Sequence, residues 1–350
     1  MRVLPGRLKE ITVQIVKGLG GSHEEAVLLS ESLVRADMRG TDTHGVTYLK
    51  LLANRVDADM ITLPTRLNVL KEDVSTGLID GGNGLGQVAA HRAMTMSLEK
   101  ASRCGTGCCL VRNTNNVGFL AFYTMMAAEK GMVGIIMTNA AAAISPWGGA
   151  EAFFGTNPIS IAVPGDAEDR AVVLDMSSSL VARGKVRRAQ RVKESIPLGW
   201  AFDESGAPTT DPAAALKGTL APIGGPKGYG LALMVDILAG MLSGSKYGQE
   251  VKTFHQPEGP TGVGVCCMAI DVERFMPVRE FRRLVQSYVA SIRGSRKAKG
   301  VLRIYLPGEI EFEKEKASSG EGIELNPGTV KDLNQLLERV KSPFSLESGM

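Results

Sequence analysis

Thr76-Gly77-Leu78-Ile79-Asp80-Gly81-Gly82-Asn83-Gly84-Leu85-Gly86 is the stretch that decides the kind of α/β fold. A β-rich run, a glycine turn and a helix in succession are how a dinucleotide-binding turn begins, because such a turn lets amides at a helix N-terminus approach a pyrophosphate. Three features argue against that reading. Gly82-Asn83-Gly84-Leu85-Gly86 is one residue short of Gly-x-Gly-x-x-Gly, and it starts about eighty residues into the chain. The next strand-like run, Gly107 to Val111, ends in Arg112 and Asn113 rather than in a carboxylate that could hold a ribose. The stretch therefore reads as a tight turn between a strand and a helix.

Outward from it, short β-rich runs alternate with helical stretches. Thr76 to Asp80, Gly107 to Val111, Val133 to Thr138, Ile159 to Val163 and Val172 to Leu174 read as strands, with helices over 87–101 and 119–130 between them. That alternation predicts an α/β domain. Upstream, residues 7–58 carry apolar positions at helical spacing, and Ser22-His23-Glu24-Glu25 is a capping box opening a helix to about Met38. Downstream, Pro208 to Pro212 predicts a turn into a short helix. Gly228 to Leu242 reads as a buried helix whose Met and Leu side chains belong to the core, and Gly262 to Asp271 as a buried strand. Val278 to Ile292 reads as a surface helix, Glu309 to Lys316 as a solvated charged stretch, and residues 328–341 as a closing helix.

The chain has 350 residues, 44% of them hydrophobic, enough for a sizeable core in one large or two ordinary domains. No apolar run is long enough to span a membrane and no signal-peptide pattern opens the sequence, so a cytoplasmic protein is expected. Cys104, Cys108, Cys109, Cys266 and Cys267 form an odd set with two adjacent pairs, which suits reduced thiols better than disulfides; the spacing offers no zinc pattern, and no metal is expected. A net charge of +3 and 5% aromatic residues do not describe a nucleic-acid binder.

Of the four histidines, His44 alone sits in a polar, glycine-flanked cluster, Arg39-Gly40-Thr41-Asp42-Thr43-His44-Gly45, just after an amphipathic helix. A loop at a helix end can present an imidazole to a cleft while neighbouring hydroxyl and carboxylate groups fix its tautomer. A locally hydrogen-bonded histidine satisfies the same pattern. Three further polar clusters flank apolar runs: Arg112 to Gly118, Pro146 to Pro158, and Gly224 to Gly230, which contains Lys227 ahead of a helix. Glycine beside amide, hydroxyl or lysine groups allows close backbone approach to a ligand's phosphates, although each cluster alone could be only a turn.

Taken in order, these segments resemble the type-2 malate/L-lactate dehydrogenase family, which includes ureidoglycolate and sulfolactate dehydrogenases. The resemblance extends over nearly the whole chain. It is carried by Arg35 to Val46, Pro146-Trp147-Gly148-Gly149, Gly155-Thr156-Asn157-Pro158, Leu174-Asp175-Met176, Ala182-Arg183-Gly184-Lys185, Thr209 to Pro212, Gly225 to Gly230 and Leu306-Pro307-Gly308-Glu309. It implies a non-Rossmann α/β domain with a mixed sheet binding NAD or NADP, residues 73–274, beside a helical domain built from both chain ends, residues 1–72 and 275–350. It also implies a homodimer.

By position, the resemblance makes His44 the proton donor and acceptor, with Thr43 beside it and Lys185 where some members have an aspartate completing a relay. Asn116, Val117, Gly118, Phe119 and Leu120, then Asp175, Met176 and Ser177, Lys227 and Gly228, and Leu306, Pro307, Gly308 and Glu309 fall on cofactor-contacting segments. Thr156, Arg183 and Gly184 fall on substrate contacts. Tyr48 stands where many members have an arginine suited to a substrate carboxylate, and Asn116 where the ureidoglycolate branch has a second histidine. The expected activity is hydride transfer between nicotinamide and C2 of a small 2-hydroxy or 2-oxo acid of the malate, lactate, sulfolactate or ureidoglycolate type. The competing expectations are a cyclic-imine reductase and a nucleotide-binding homologue without catalysis.

Overall fold

The computed structural model describes residues 1–165, 171–255 and 259–346. Strand β1 (Arg2–Val3) leads into helices α1 (Pro5–Gly18), α2 (His23–Met38) and α3 (Tyr48–Asp57). The capping box forms as expected: Ser22 Oγ accepts from the Glu25 amide and the Glu25 carboxylate from the Ser22 amide. The same carboxylate accepts from the Thr65 amide at 2.6 Å, which ties the return of the chain to the start of α2.

The α/β part follows as β2 (Asn68–Glu72), β3 (Thr76–Asp80), α4 (Gly86–Cys104), β4 (Thr106–Thr114), α5 (Ala121–Glu129), β5 (Met132–Thr138), β6 (Ile159–Val163) and β7 (Val172–Met176). Next come α6 (Arg183–Val192), β8 (Ala201–Phe202), β9 (Pro208–Thr209), α7 (Pro212–Lys217) and β10 (Thr219–Leu220). Helix α8 (Pro226–Val235) runs on into a wider π-helical segment (Asp236–Met241), and β11 (Val263–Asp271), α9 (Val278–Gly294), α10 (Glu309–Glu321), β12 (Ile323–Glu324) and α11 (Pro327–Arg339) complete the order.

Among the described residues the main sheet has seven strands in the order β2-β3-β4-β11-β5-β6-β7, and only the β3–β4 pair is parallel. A doubly wound nucleotide-binding sheet is mostly parallel, so the mixed, non-Rossmann expectation holds. The one parallel pair is the pair joined through α4, and the glycine turn lies at that joint. A Cβ on Gly86 would stand 2.3 Å from the Asn115 and Asn116 carbonyl oxygens. The start of α4 is thus filled by the chain's own backbone, and the glycine serves that close approach.

Side chains alternate across the sheet. Cys109, Val111, Ile136, Val265 and Cys267 face α4 and α5 in the largest core, while Leu110, Met137, Ile159, Cys266 and Met268 face α8 and the π-helical segment. A separate core joins both chain ends: Leu8, Ile15, Leu29, Leu49 and Leu52 pack with Ile323, Leu333 and Leu337, and β1 pairs with β12.

Several expectations are corrected. Gly228 to Leu242 is not uniformly buried: Met234, Met241 and Leu242 face solvent. Glu309 to Lys316 is helical, and Glu315 is drawn inward to bond Arg35 and Arg39 at 2.9 and 2.7 Å. The edge strand β2 and the small sheet β10-β8-β9 were not visible in the pattern, because β2 is exposed along its length and the other three strands have two residues each. Gln256 and Pro257, part of the polar segment around His255, lie outside the described residues, as do residues 166–170 and 347–350. No helix among the described residues is long and apolar enough to cross a membrane.

Candidate active site

Helix α2 ends at Met38, and a single 3-10 turn, Asp42–His44, separates it from α3. The turn is held from behind by Asp37, whose carboxylate accepts from the Val46 amide at 2.8 Å. A Cβ on Gly45 would lie 1.8 Å from Asp37 Oδ1, so only glycine can follow His44 without moving the turn. Burial pushes Asp37 up to about 7. His44 is partly buried, and desolvation lowers its pKa below 6.5, partly offset by Asp42. Its ring makes no hydrogen bond among the described residues, which leaves both nitrogens available.

Thr43, beside it, is exposed, and its methyl group lies 3.3 Å from where a Gly184 Cβ would be. The His44 turn therefore abuts the start of α6. Arg183 anchors that helix by donating to the Leu216 carbonyl at 2.7 Å, and its pKa is lowered by burial and by Arg187. Lys185 points to solvent.

Tyr48 does not open into the cleft. It is 5% exposed and stacks on Phe254, with ring centroids 5.0 Å apart and planes inclined at 14°. Phe254 also lies against the Arg55 guanidinium at 4.9 Å, two turns along α3. Among the described residues, the Tyr48 hydroxyl, Ser32 Oγ and both polar atoms of Gln87 are buried without hydrogen-bond partners.

The segments expected to hold the cofactor converge on one another. Asn115 is fully buried; its amide donates to the Asn83 and Gly84 carbonyls at 3.0 and 2.9 Å, and its oxygen accepts from Thr261 at 2.9 Å. This fixes the loop in which Asn116 Oδ1 accepts from the Gly118 amide at 2.9 Å and Tyr123 donates to the Val117 carbonyl at 2.5 Å. Phe119 and Leu120 are buried in the main core. Gly118 has φ +75 and would face Gln87 and Ser32 with any side chain.

Asp175, at the end of β7, accepts from the Ala121 amide at 2.8 Å, which joins the Asp175–Met176–Ser177 run to the start of α5. Although the residue as a whole is open to solvent, its carboxylate is desolvated enough to be pushed up to about 6. The Leu306–Pro307–Gly308–Glu309 turn docks on the same strand. Pro307 accepts from the Val173 amide at 3.1 Å, Gly308 has φ +86, and Glu309 accepts from the Leu306 amide at 2.9 Å while pairing with Arg293.

Thr156 joins through Ser178, which bonds its carbonyl from both amide and hydroxyl at 2.8 Å. Gly228 joins through the Ser178 carbonyl, 2.8 Å from where its Cβ would be, and Lys227 stands exposed with no ion pair among the described residues. Sequence reasoning missed Asp37, Asn115, Phe254 and Ser178, which support the site from behind. The one legible signal was the glycine after His44.

The chemistry of these segments suits a nicotinamide dinucleotide: Gly118 and Gly308 hold tight turns at positive φ beside polar loops, and the exposed Lys227, without an ion pair among the described residues, is a cation suited to phosphate. No cluster of three His, Cys, Asp or Glu side chains able to hold a metal occurs among the described residues.

Residues 4–334 match the malate/L-lactate dehydrogenase family. Malate dehydrogenase of Pyrococcus horikoshii is 37% identical over 97% of this chain and 96% of its own, and the NAD(+)-dependent ureidoglycolate dehydrogenase of Escherichia coli is 31% identical over 91% and 89%. The solved sulfolactate dehydrogenase of Methanocaldococcus jannaschii superposes with a TM-score of 0.92 at 35% identity, covering 99% of both chains. With this match spanning residues 4–334, the His44 turn included, the chain belongs to the malate/L-lactate dehydrogenase family and is, with it, a nicotinamide-dependent oxidoreductase.

Proposed function

We propose that the chain interconverts a small 2-hydroxy acid and its 2-oxo acid, with His44 as the group that takes and returns the hydroxyl proton. The observation that carries this reading is the unpartnered His44 ring, held by Asp37 and Gly45 against the start of α6, where Arg183 stands. A bound NAD or NADP supplies or accepts the hydride at C2. Asn116 to Leu120, Asp175 to Ser177, Lys227-Gly228 and Leu306 to Glu309 would hold it.

In the oxidative direction neutral His44 accepts the proton of the C2 hydroxyl; in reduction the imidazolium returns it to the forming alkoxide. Its lowered pKa keeps the ring neutral near pH 7, so oxidation is favoured as pH rises through that pKa and reduction as pH falls. Thr43 limits the swing of the ring. Arg183, with donors beyond the one given to Leu216, and the Gly184 amide hold the C1 carboxylate, for which a guanidinium fork is suited. In this reading Thr156, tied to Ser178 through its carbonyl, belongs to the substrate side, and Lys185 adds positive charge without restoring a relay carboxylate. Tyr48 acts indirectly, fixing α3 through Phe254.

The working unit in this reading is a cytoplasmic homodimer, with a 73–274 cofactor domain and a 1–72 plus 275–350 helical domain. Apolar side chains left in solvent on α9, Leu284 and Tyr288 among them, support an interface, and five free cysteines suit a reducing compartment. The test is a steady-state assay with NADH and NADPH across 2-oxo acids and cyclic imino acids. Turnover of 2-oxo acids is expected; turnover confined to cyclic imines, or cofactor binding with no turnover, overturns the reading.

A further inference from the structure

Pro146-Trp147-Gly148-Gly149 stands out in the sequence, yet the mechanism above gives it no task. These residues form a turn closed by the Gly149 amide on the Pro146 carbonyl at 2.8 Å, with Gly148 at φ +87. The turn is fastened on its N-terminal side, where Ile144 bridges both Phe154 and Leu220 and the Leu220 amide donates to the Ala143 carbonyl at 2.8 Å. Trp147 is thereby held out from the fold and is 59% exposed. Among the described residues its indole makes no hydrogen bond and stacks on no other ring. Trp200, the other tryptophan of the chain, packs against a core. An indole carries one of the largest apolar surfaces of any side chain, so leaving it in water on a fixed turn forgoes burial that a ligand ring could supply.

What the indole does touch is the entry to α8. Its Cη2 and Cζ3 atoms lie 3.1 and 3.2 Å from where a Cβ on Gly225 would stand, and Gly225 has φ +64. The contact is made by the edge of the ring, which leaves a face open. Gly225 is the N-cap of α8, offers no side chain to the amides of the first turn, and precedes the exposed Lys227 by two residues. A flat aromatic face therefore stands beside a cation and uncapped helix amides, the complement of a heterocycle and a phosphate on one nucleotide.

We propose that Trp147 is the wall on which one heteroaromatic ring of the bound dinucleotide stacks, beside the phosphate that Lys227 holds. This rests on the dehydrogenase reading, in which Lys227 and Gly228 belong to the cofactor site. Nicotinamide and adenine offer the same stacking chemistry, and the two halves of the cofactor tell them apart.

Calorimetry of the full-length protein with NAD, NADP, nicotinamide mononucleotide and AMP tests it in wild type, Trp147→Ala and Trp147→Phe. The dissociation constant of the preferred dinucleotide is expected to rise about tenfold in Trp147→Ala, the low end of base–aromatic stacking, and to stay within about threefold in Trp147→Phe, which keeps an aromatic face. The loss should fall on one mononucleotide and spare the other. With saturating cofactor, kcat should change by less than about twofold, because the ring grips ground state and transition state alike. In Trp200→Phe protein, where Trp147 is the remaining tryptophan, saturating NAD or NADP should move the emission to shorter wavelength; this readout leaves the turn itself unaltered. Unchanged affinity in Trp147→Ala, equal losses in the alanine and phenylalanine variants, or an unshifted emission overturns the stacking wall and leaves the dehydrogenase reading standing. A wild type that binds neither dinucleotide overturns the dehydrogenase reading itself.

Discussion

On one side of the site, Asn115 lies fully buried with its amide and its oxygen both hydrogen-bonded, and the loop that follows is fixed by Asn116, Tyr123 and Asp175. On the other side, His44 sits on a single 3-10 turn, its ring without a hydrogen bond among the described residues and its support reduced to Asp37 and Gly45. The two walls have different tasks. A cofactor cradle works best when its backbone is already in place, so that binding orders little. A proton-transfer group needs an available lone pair and a pKa near the working pH, and a saturated hydrogen-bond network would remove the first. Under the proposed function, preorganisation is concentrated where the cofactor would bind and withheld where the proton would move.

The largest expected effect separates the walls outright. His44→Ala should lower turnover by about a hundred- to ten-thousand-fold while the dissociation constant of NADH or NADPH stays nearly unchanged. A steady-state assay paired with a cofactor fluorescence titration measures both, and retained turnover would remove His44 from its role.

Asn115→Ala should do the reverse. It leaves the buried Gly84 carbonyl and the Thr261 hydroxyl short of a partner and takes one of two donors from the Asn83 carbonyl, so a loss of about 3 kcal/mol in stability and weaker cofactor binding are expected. Urea unfolding would show it, and an unchanged midpoint would mean that the cradle is held some other way.

The smallest effect probes the support of the His44 turn. Asp37 is held near 7 in the folded state against an ordinary 3.8, so the folded protein binds the proton more tightly than the unfolded chain. The contribution of this group to stability is therefore greatest below about pH 4 and falls as pH rises towards 7. Asp37→Asn keeps an oxygen to accept from Val46 and carries no charge, so it should be more stable than wild type at pH 8 and equal to it at pH 4. Thermal melts at the two pH values decide it, and an equal difference at both would show that the carboxylate's ionisation is not involved.

Legibility followed periodicity and local chemistry. The capping box at Ser22 and the strands Thr76–Asp80 and Ile159–Val163 were readable because their signals lie within a few adjacent residues. The helix through Leu242 was misjudged because apolar composition says which side chains avoid water, not which of them this fold leaves facing it. In the site, His44 stood out as a lone imidazole between glycines. Phe254 and Asn115 did not, since an aromatic ring and an asparagine acquire meaning only from what lies across from them.

The sequence by itself determined the helical and α/β parts, the absence of a regular dinucleotide turn at Gly82 to Gly86, and the identity of the proton-transfer candidate. The first two rest on spacing along the chain, and the last on the resemblance carried by the ordered motifs. Only the tertiary structure decided that Gly86 makes room for the Asn115 and Asn116 backbone, and that Tyr48 turns away from the cleft to stack on Phe254. These pairings join residues that are distant in the chain. Their physical basis is the close packing of one surface on another, which no local pattern encodes.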